Sequence, residues 1–459
     1  MGNGTVIISL LVLTVGVLLG LVKISGIFNI PPIPKLEDTW WGPGGKDVDD
    51  VTIRPFKIAV PDEVILDLKT RLKNTRTPIP PLEGAKHTYG ISSTVTKSVL
   101  DFWLNKYDWK KREQFLNQYP QFKTKIQGLD IHFLHVKPKK IEGLRVFPLL
   151  LIHGWPGSVR EFYEIIPLLT TPQKDRQFVY EVIVPSLPGY GFSEAAVRPG
   201  LGAAQMAVIF KNLMNRLNIQ KYYVQGGDWG SMIVNYMAVL YPQQVIGMHS
   251  NSCFSDMPIT NLKKIVYGLK PSLIVDKKYE HLVYPMSIVL ANMILESGYL
   301  HLQATKPDTV GTALNDSPVG LAAYILEKFI TWTNPSFKER EDGGLTEKYK
   351  MEDLLDNIMI YWVTGTITSS MRLYSESFNS AHYSLQLSKI PVSVPSGCSR
   401  FAHDIVFAPT ALLEDKFPNL LHVTDHDAGH FAAFEVPEVL AKDIYDFTEK
   451  VLTASLPKK

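Results

Sequence analysis

The sequence predicts an α/β protein: one mostly parallel sheet flanked by helices, interrupted by a helical insert and preceded by an N-terminal membrane-anchor helix. Three observations predict it. From about Leu144 to residue 255, and again from 390 to 459, short apolar runs alternate with helical blocks, the pattern of strands joined through helices into a parallel sheet. Between these stretches, residues 256–389 lose the alternation and read as mainly helical. At the front, Val6 to Val22 is an unbroken uncharged run ending at Lys23. At about 1.5 Å per residue it is just long enough to span a bilayer core.

In chain order, the apolar run reads as a single anchor rather than a cleaved signal, because no basic segment precedes it and no clear small-x-small site follows. Lys23 and Lys35 lie on its C-terminal side, which the positive-inside rule turns toward the cytosol. A connector rich in proline (Pro31, Pro32, Pro34) leads to Trp40-Trp41-Gly42-Pro43-Gly44, whose tryptophans suit either a membrane interface or a cover over the body. Pro61-Asp62-Glu63 places acids at a helix start, and Val64, Ile65, Leu68 and Leu72 follow at helical spacing. Trp103, Leu104, Trp109, Phe115 and Leu116 make a second helical block. Strands are expected at Val146–Ile152, Glu181–Val184, Tyr222–Gln225, Val245–His249, Pro391–Val394 and Leu420–Val423, with a last helix from Pro437 to Leu452. The division is therefore 1–24 anchor, 25–143 an extension packed on the core, 144–255 and 390–459 the two parts of the core, and 256–389 a helical lid.

Composition narrows the function. With 45% hydrophobic and 20% charged residues among 459, the chain is a folded globular protein. A net charge of +2 gives no electrostatic case for nucleic acid. Cys253 and Cys398 are the only cysteines, too few for a disulfide framework or a Cys/His metal cluster, and they read as thiols of a body in a reducing compartment.

The chemistry centres on Gly226-Gly227-Asp228-Trp229-Gly230. It follows a β-prone run and precedes Met232, Ile233, Tyr236, Met237 and Leu240 at helical spacing, so strand, Gly-x-nucleophile-x-Gly and helix make a nucleophile elbow. The central residue is Asp where a Ser is usual. A carboxylate attacking carbon gives an alkyl-enzyme ester. After the first core strand comes His153-Gly154-Trp155-Pro156-Gly157-Ser158, placed to supply one oxyanion-hole donor; the residue after the nucleophile supplies the other. The candidates are the backbone N–H groups of Trp155 and Trp229. Asp427-Ala428-Gly429-His430-Phe431 follows the last strand, and its position favours His430 over His422 and His426 as general base. Asp404, between elbow and His430, is the candidate acid that orients the base, with helix capping as its plain alternative.

These motifs resemble the microsomal-type epoxide hydrolase family over nearly the whole chain. The likeness includes the anchor, Trp40-Trp41-Gly42-Pro43, His153-Gly154-Trp155-Pro156, Gly227-Asp228-Trp229-Gly230 and Gly429 to Glu435. Two insert motifs strengthen it: Ser297-Gly298-Tyr299 with Gln303 to Thr309, and Tyr361 to Gly365 with Ser369 to Tyr374. The resemblance implies the α/β-hydrolase fold and a role for Tyr299 and Tyr374 as proton donors to an epoxide oxygen. It also implies attachment to the endoplasmic reticulum membrane with a cytosolic catalytic body, and a lipophilic epoxide such as juvenile hormone or a xenobiotic as substrate. Relatives often carry Glu as the triad acid; here the matching position is Asp404, shorter by one methylene.

The implied reaction needs water but no metal or organic cofactor. Carboxylic acids of the aspartate type ionise near pH 4, so the nucleophile needs no base to charge it, whereas the alkoxide left by ring opening needs an acid such as a phenol. A haloalkane dehalogenase shares the Asp elbow but needs donors for a halide, and the paired tyrosines argue against it. A non-catalytic binder of lipophilic ligands on the same fold is disfavoured by the complete set of nucleophile, base and phenols.

Overall fold

The computed structural model describes residues 26–139 and 142–456. The expected anchor at 1–24 lies outside them; among the described residues no helix is long and apolar enough to cross a membrane. The centre is a nine-stranded sheet: β1 (Arg54–Phe56), β2 (Gln121–Ile126), β3 (Leu129–Val136), β4 (Arg145–Ile152), β5 (Phe178–Pro185), β6 (Tyr222–Gly226), β7 (Val245–Ser250), β8 (Ser396–Phe401) and β9 (Leu420–His426). Their spatial order is β1-β2-β3-β5-β4-β6-β7-β8-β9. The first three pairings are antiparallel and the rest parallel.

The stretch expected only to pack on the core supplies β1, β2 and β3 to this sheet. Gln127 and Gly128 both take positive φ (51° and 84°), closing a tight hairpin between β2 and β3. The tryptophan pair covers that turn. The Trp41 N–H donates to the Gln127 carbonyl at 2.8 Å, and the Trp41 side chain is buried. The indole of Trp40 lies so close to Gly128 that a Cβ there would come within 2.6 Å of it. The pair thus covers the body. The strand expected at Pro391–Val394 begins later, at Ser396, because Pro391 and Pro395 have no N–H to give a ladder. Cys253 and Cys398, read as separate thiols, are joined in a disulfide, since β7 and β8 are parallel neighbours.

Three helices precede the core: α1 (Asp62–Lys73), α2 (Ser93–Asn105) and α3 (Trp109–Leu116). The core helices are α4 (Ile165–Thr170), α5 (Ala203–Arg216) and α6 (Asp228–Leu240). The insert holds α7 (Pro258–Tyr267), α8 (Met286–Glu296), α9 (Gly298–Thr305), α10 (Pro307–Asp316), α11 (Pro318–Thr331), α12 (Leu345–Lys348), α13 (Met351–Thr364), α14 (Ile367–Ser377) and α15 (Ser380–Ser384). The chain returns through α16 (Thr410–Leu413), α17 (Ala432–Glu435) and α18 (Pro437–Ala454). Leu149, Leu150, Leu151 and Ile152 are all buried, and successive strand residues face opposite ways, so both faces of β4 are covered.

A buried charge cluster fastens extension, core and lid together. Arg160, in the short turn after β4, is fully buried and donates from Nε to Asp356 Oδ2 of α13 at 3.1 Å. Arg112 of α3 donates from Nε to Asp356 Oδ1 at 2.8 Å, and the Tyr107 hydroxyl donates to the same oxygen at 2.9 Å. One lid carboxylate thus satisfies groups from the extension and the core. Removing it leaves the two guanidinium groups with Asp353, 2.7 Å from each, and Arg160 with Glu164 at 2.7 Å, so the cost is that of buried donors losing one partner, about 1–3 kcal/mol. Asp356→Ala should lower the unfolding free energy by roughly that amount in chemical denaturation. A loss below about 1 kcal/mol, the size expected of an exposed pair, would refute the cluster's role.

Candidate active site

The edge where the parallel strands end carries every loop of the site. At the end of β6 the chain turns so sharply that Asp228 takes φ +49°, a left-handed conformation costly for a residue with a side chain. The turn brings α6 against the end of β4: a Cβ on Gly230 would lie 2.0 Å from the Ile152 carbonyl. The loop after β4 comes equally close, since a Cβ on Gly154 would lie 2.2 Å from Asp228 Oδ1. These approaches let the Trp155 N–H donate to Asp228 Oδ1 at 2.8 Å. Trp229 stands in the first turn of α6, where backbone N–H groups have no partner within the helix.

His153 holds this loop in place. Its Nε2 accepts from the Leu187 N–H at 3.1 Å, so Nδ1 carries the proton and donates to the Gly154 carbonyl at 2.9 Å. Burial pushes its pKa down to about 4, which keeps this neutral form at physiological pH. The lid grips the same loop: Asn357 donates to the Pro156 carbonyl and the Tyr361 hydroxyl to the Gly157 carbonyl, both at 2.7 Å.

His430 and Asp404 meet Asp228 from the far side of the sheet edge. His430 Nδ1 pairs with Asp404 Oδ1 at 2.5 Å, and its Nε2 lies 3.5 Å from Asp228 Oδ2. Burial alone would lower the imidazole's pKa, but the Asp404 and Asp228 carboxylates outweigh it and hold His430 well above its ordinary value. The two expected tyrosines close the site from the lid. The Tyr299 ring stacks on Trp155 at 5.3 Å, and Tyr374 stands edge-on to Trp229 at 4.8 Å. Burial first, then the nearby Asp228 charge for Tyr299, raises both phenols, so both keep their protons in the resting site. The Tyr374 hydroxyl is buried with no hydrogen-bond partner among the described residues. Asp308 of α10 and Arg372 of α14 form a two-point ion pair at 2.7 and 3.0 Å, which fixes the two tyrosine-bearing motifs against each other.

Three neighbours were invisible in the sequence as site residues. Glu435 accepts the Gly429 and Phe431 N–H groups at 2.8 and 2.9 Å, so it braces the backbone on both sides of His430. Burial raises its pKa to about 7 despite those donors. Glu161 lies beside the His153–Ser158 loop with no hydrogen bond to its carboxyl among the described residues. Burial, opposed by the His430 charge, brings its pKa to about 8. The Lys328 ammonium, paired with Glu327 at 2.5 Å, sits 4.5 Å over the Tyr299 ring. Glu161 and Lys328 stand in no quoted motif, and Glu435 closes the Gly429–Glu435 block without a role that its spacing announces.

Comparison with known proteins identifies the family and the fold. The family model for the epoxide hydrolase N terminus matches residues 53–162, and that for the alpha/beta hydrolase fold matches residues 148–437. Juvenile hormone epoxide hydrolase 1 of Ctenocephalides felis is 52% identical over 421 residues, 92% of this chain and 90% of that one. Epoxide hydrolase 1 of Oryctolagus cuniculus is 48% identical over 424 residues, 90% of this chain and 92% of that one. The crystal structure of juvenile hormone epoxide hydrolase from the silkworm Bombyx mori superposes with a TM-score of 0.89 at 48% identity, covering 92% of this chain and 100% of that one.

The two raised glutamates give the site a pH signature. In an unfolded chain Glu161 and Glu435 would ionise near 4.5; folded, they do so near 8 and 7. A folded pKa above the unfolded one contributes stability that is complete below pH 4.5 and is lost as pH rises to 7–8. Gln at position 161 is neutral throughout. The melting temperature of Glu161→Gln should therefore rise relative to the parent between about pH 5 and pH 8; a difference independent of pH would show that the carboxyl is not held neutral.

Proposed function

The chain belongs to the epoxide hydrolases of the α/β-hydrolase fold, and on that premise we propose that it converts lipophilic epoxides, juvenile hormone foremost and xenobiotic epoxides besides, to diols through an ester on Asp228. One observation carries this reading. The Asp228 carboxyl faces two protonated phenols, Tyr299 and Tyr374, whose rings lie 6.0 Å apart beside Trp155. Phenols suit an oxygen that stays attached and must be protonated, not a departing halide.

In the first step Asp228 Oδ2 attacks an epoxide carbon while Oδ1 stays bonded to the Trp155 N–H. The C–O bond of the ring breaks. The alkoxide takes a proton from one phenol, leaving a phenolate and a neutral ester. Lys328 over the face of Tyr299 favours the phenolate there. Forming the ester also abolishes the negative charge that helped to hold the proton on His430. The imidazole therefore becomes easier to deprotonate, and its proton can return to the phenolate. Neutral His430, oriented by Asp404, then takes a proton from water, and the hydroxide adds to the Asp228 carbonyl carbon. Oδ1 becomes the oxyanion, between the N–H groups of Trp155 and Trp229. Collapse breaks the ester C–O bond, the leaving alkoxide takes the proton of the newly formed carboxyl group, and the diol departs with carboxylate and imidazolium restored. No cofactor enters this scheme. The run Val6–Val22 would anchor the enzyme in the endoplasmic reticulum membrane, with the catalytic body on the cytosolic side.

The test is chemical. His430→Gln should still open the epoxide but accumulate a substrate-sized adduct on the peptide containing Asp228, read by mass spectrometry. Tyr299→Phe with Tyr374→Phe should slow ester formation by roughly 10²–10⁴-fold. Full epoxide turnover in the double variant, or no adduct in the His430 variant, would overturn the scheme. Diol formation measured with juvenile hormone and a panel of xenobiotic epoxides decides the substrate.

A further inference from the structure

The outer edge of the lid carries a helix that nothing described covers. α8 has no charged residue before Glu296 and buries none of its side chains. Ile288, Leu290, Met293 and Leu295 are all exposed. At about 100° per residue they point in widely separated directions around the axis, so the helix has no core-facing stripe. The preceding helix, α7, extends the surface with Ile265, and Leu269, two residues beyond its end, is 89% exposed. Apolar patches of this extent on a soluble body mark a contact surface.

We infer that α7 and α8 rest in the interfacial layer of a membrane, so that the lid faces lipid. Three observations favour lipid over a protein partner. The first is charge: Lys264, Lys270 and Lys277 border the patch and form no ion pair among the described residues, which suits the phosphates of an anionic leaflet. The second is length. The eleven residues of α8 reach about 16 Å, half of a hydrocarbon core, so it can lie along a bilayer but not across one. The third is the tether. The apolar run ends at Val22, and Leu36 is the first described residue packed on the core. The thirteen residues between them, even fully extended, span at most about 47 Å, which keeps the body close to the bilayer.

The placement bears on catalysis. α8 runs through Ser297 and Gly298 directly into α9, which carries Tyr299. A lipophilic epoxide dissolved in the membrane would reach the phenols along this apolar edge without crossing water. This consequence rests on the proposed epoxide chemistry; the membrane contact does not.

The full-length protein in phosphatidylcholine/phosphatidylserine vesicles, with a diazirine placed in the lipid tails, tests both. Photo-crosslinks should map to residues 286–295 as well as to the N-terminal run. Crosslinks at the N-terminal run alone, or chain-to-chain crosslinks at α8 with none to lipid, would overturn the proposal. Replacing Leu290, Met293 and Leu295 with Gln alters only exposed side chains and should leave the melting temperature and the turnover of a short water-soluble epoxide unchanged. It should remove the α8–lipid crosslinks and raise the KM for a vesicle-dissolved long-chain epoxide about tenfold. An unchanged KM would overturn the entry route. Lipid crosslinks in a protein that opens no epoxide would leave the membrane face standing and sink the reaction instead.

Discussion

One hydrogen bond, from the Trp155 N–H to Asp228 Oδ1, sets the tolerances for everything around it. It joins loops from two neighbouring parallel strands, β4 and β6, and both loops must come closer than side chains allow. That requirement explains the glycines at 154 and 230 and the left-handed backbone at Asp228. It also explains the lid's grip. α13 hydrogen-bonds the carbonyls of Pro156 and Gly157, and the same helix carries Asp356, to which Arg160 and Arg112 are fastened. A shift of the lid would therefore be felt first at the oxyanion donor. Fold stability and site geometry share these contacts, so a residue such as Asp356 can matter to chemistry it never touches.

The charges around His430 follow from the same crowding. Four carboxyl groups lie within reach of its field: Asp228, Asp404, Glu161 and Glu435. Like charges so close in a low dielectric cannot all ionise cheaply. The fold resolves this by giving the first two the imidazole as partner and holding the other two near neutrality by burial. The result is a base whose protonation answers to the state of the nucleophile. The Asp228 carboxylate helps to hold the proton on His430, so in the proposed reaction that hold would weaken once Asp228 became an ester. Electrostatics would then order the two proposed half-reactions without a moving part.

How much of this could be read from the sequence depended on the range of each signal. The elbow was legible because strand, Gly-Gly-Asp-Trp-Gly and helix lie within one short window, and the period changes on either side of it. β2 and β3 carry a readable signal, since Leu129, Ile131 and Phe133 alternate with Asp130 and His132, but the helical pattern just before them dominates the reading. The cysteine pair was misread because 145 residues separate the partners and only the β7–β8 neighbourhood brings them together. Glu161 and Lys328 carry no spacing signal, and Glu435 stands in the Gly429–Glu435 block with nothing to mark its role; their positions beside the site emerge only from packing. Asp308 and Arg372 each stood inside a quoted motif, yet the ion pair that makes the two motifs one unit is a fact of packing.

The acid of the triad is where sequence and structure answer each other most directly. An Asp at 404 is one methylene shorter than a Glu, so the backbone must carry the carboxyl toward His430. The loops after β8 and β9 do this by pairing past the ends of their strands: the Ala402 N–H donates to the His426 carbonyl at 3.0 Å and the His403 N–H to the Ala428 carbonyl at 3.1 Å. The ladder thus runs on until the acid and the base stand side by side. Oδ1 then takes both His430 and the Ile405 N–H, the latter at 2.7 Å, which locks its direction. The second oxygen, Oδ2, is buried with no partner among the described residues. Two backbone hydrogen bonds at the strand ends thus hold Asp404 beside His430, and the ends of β8 and β9 belong to the geometry of the proposed site as much as the side chains do.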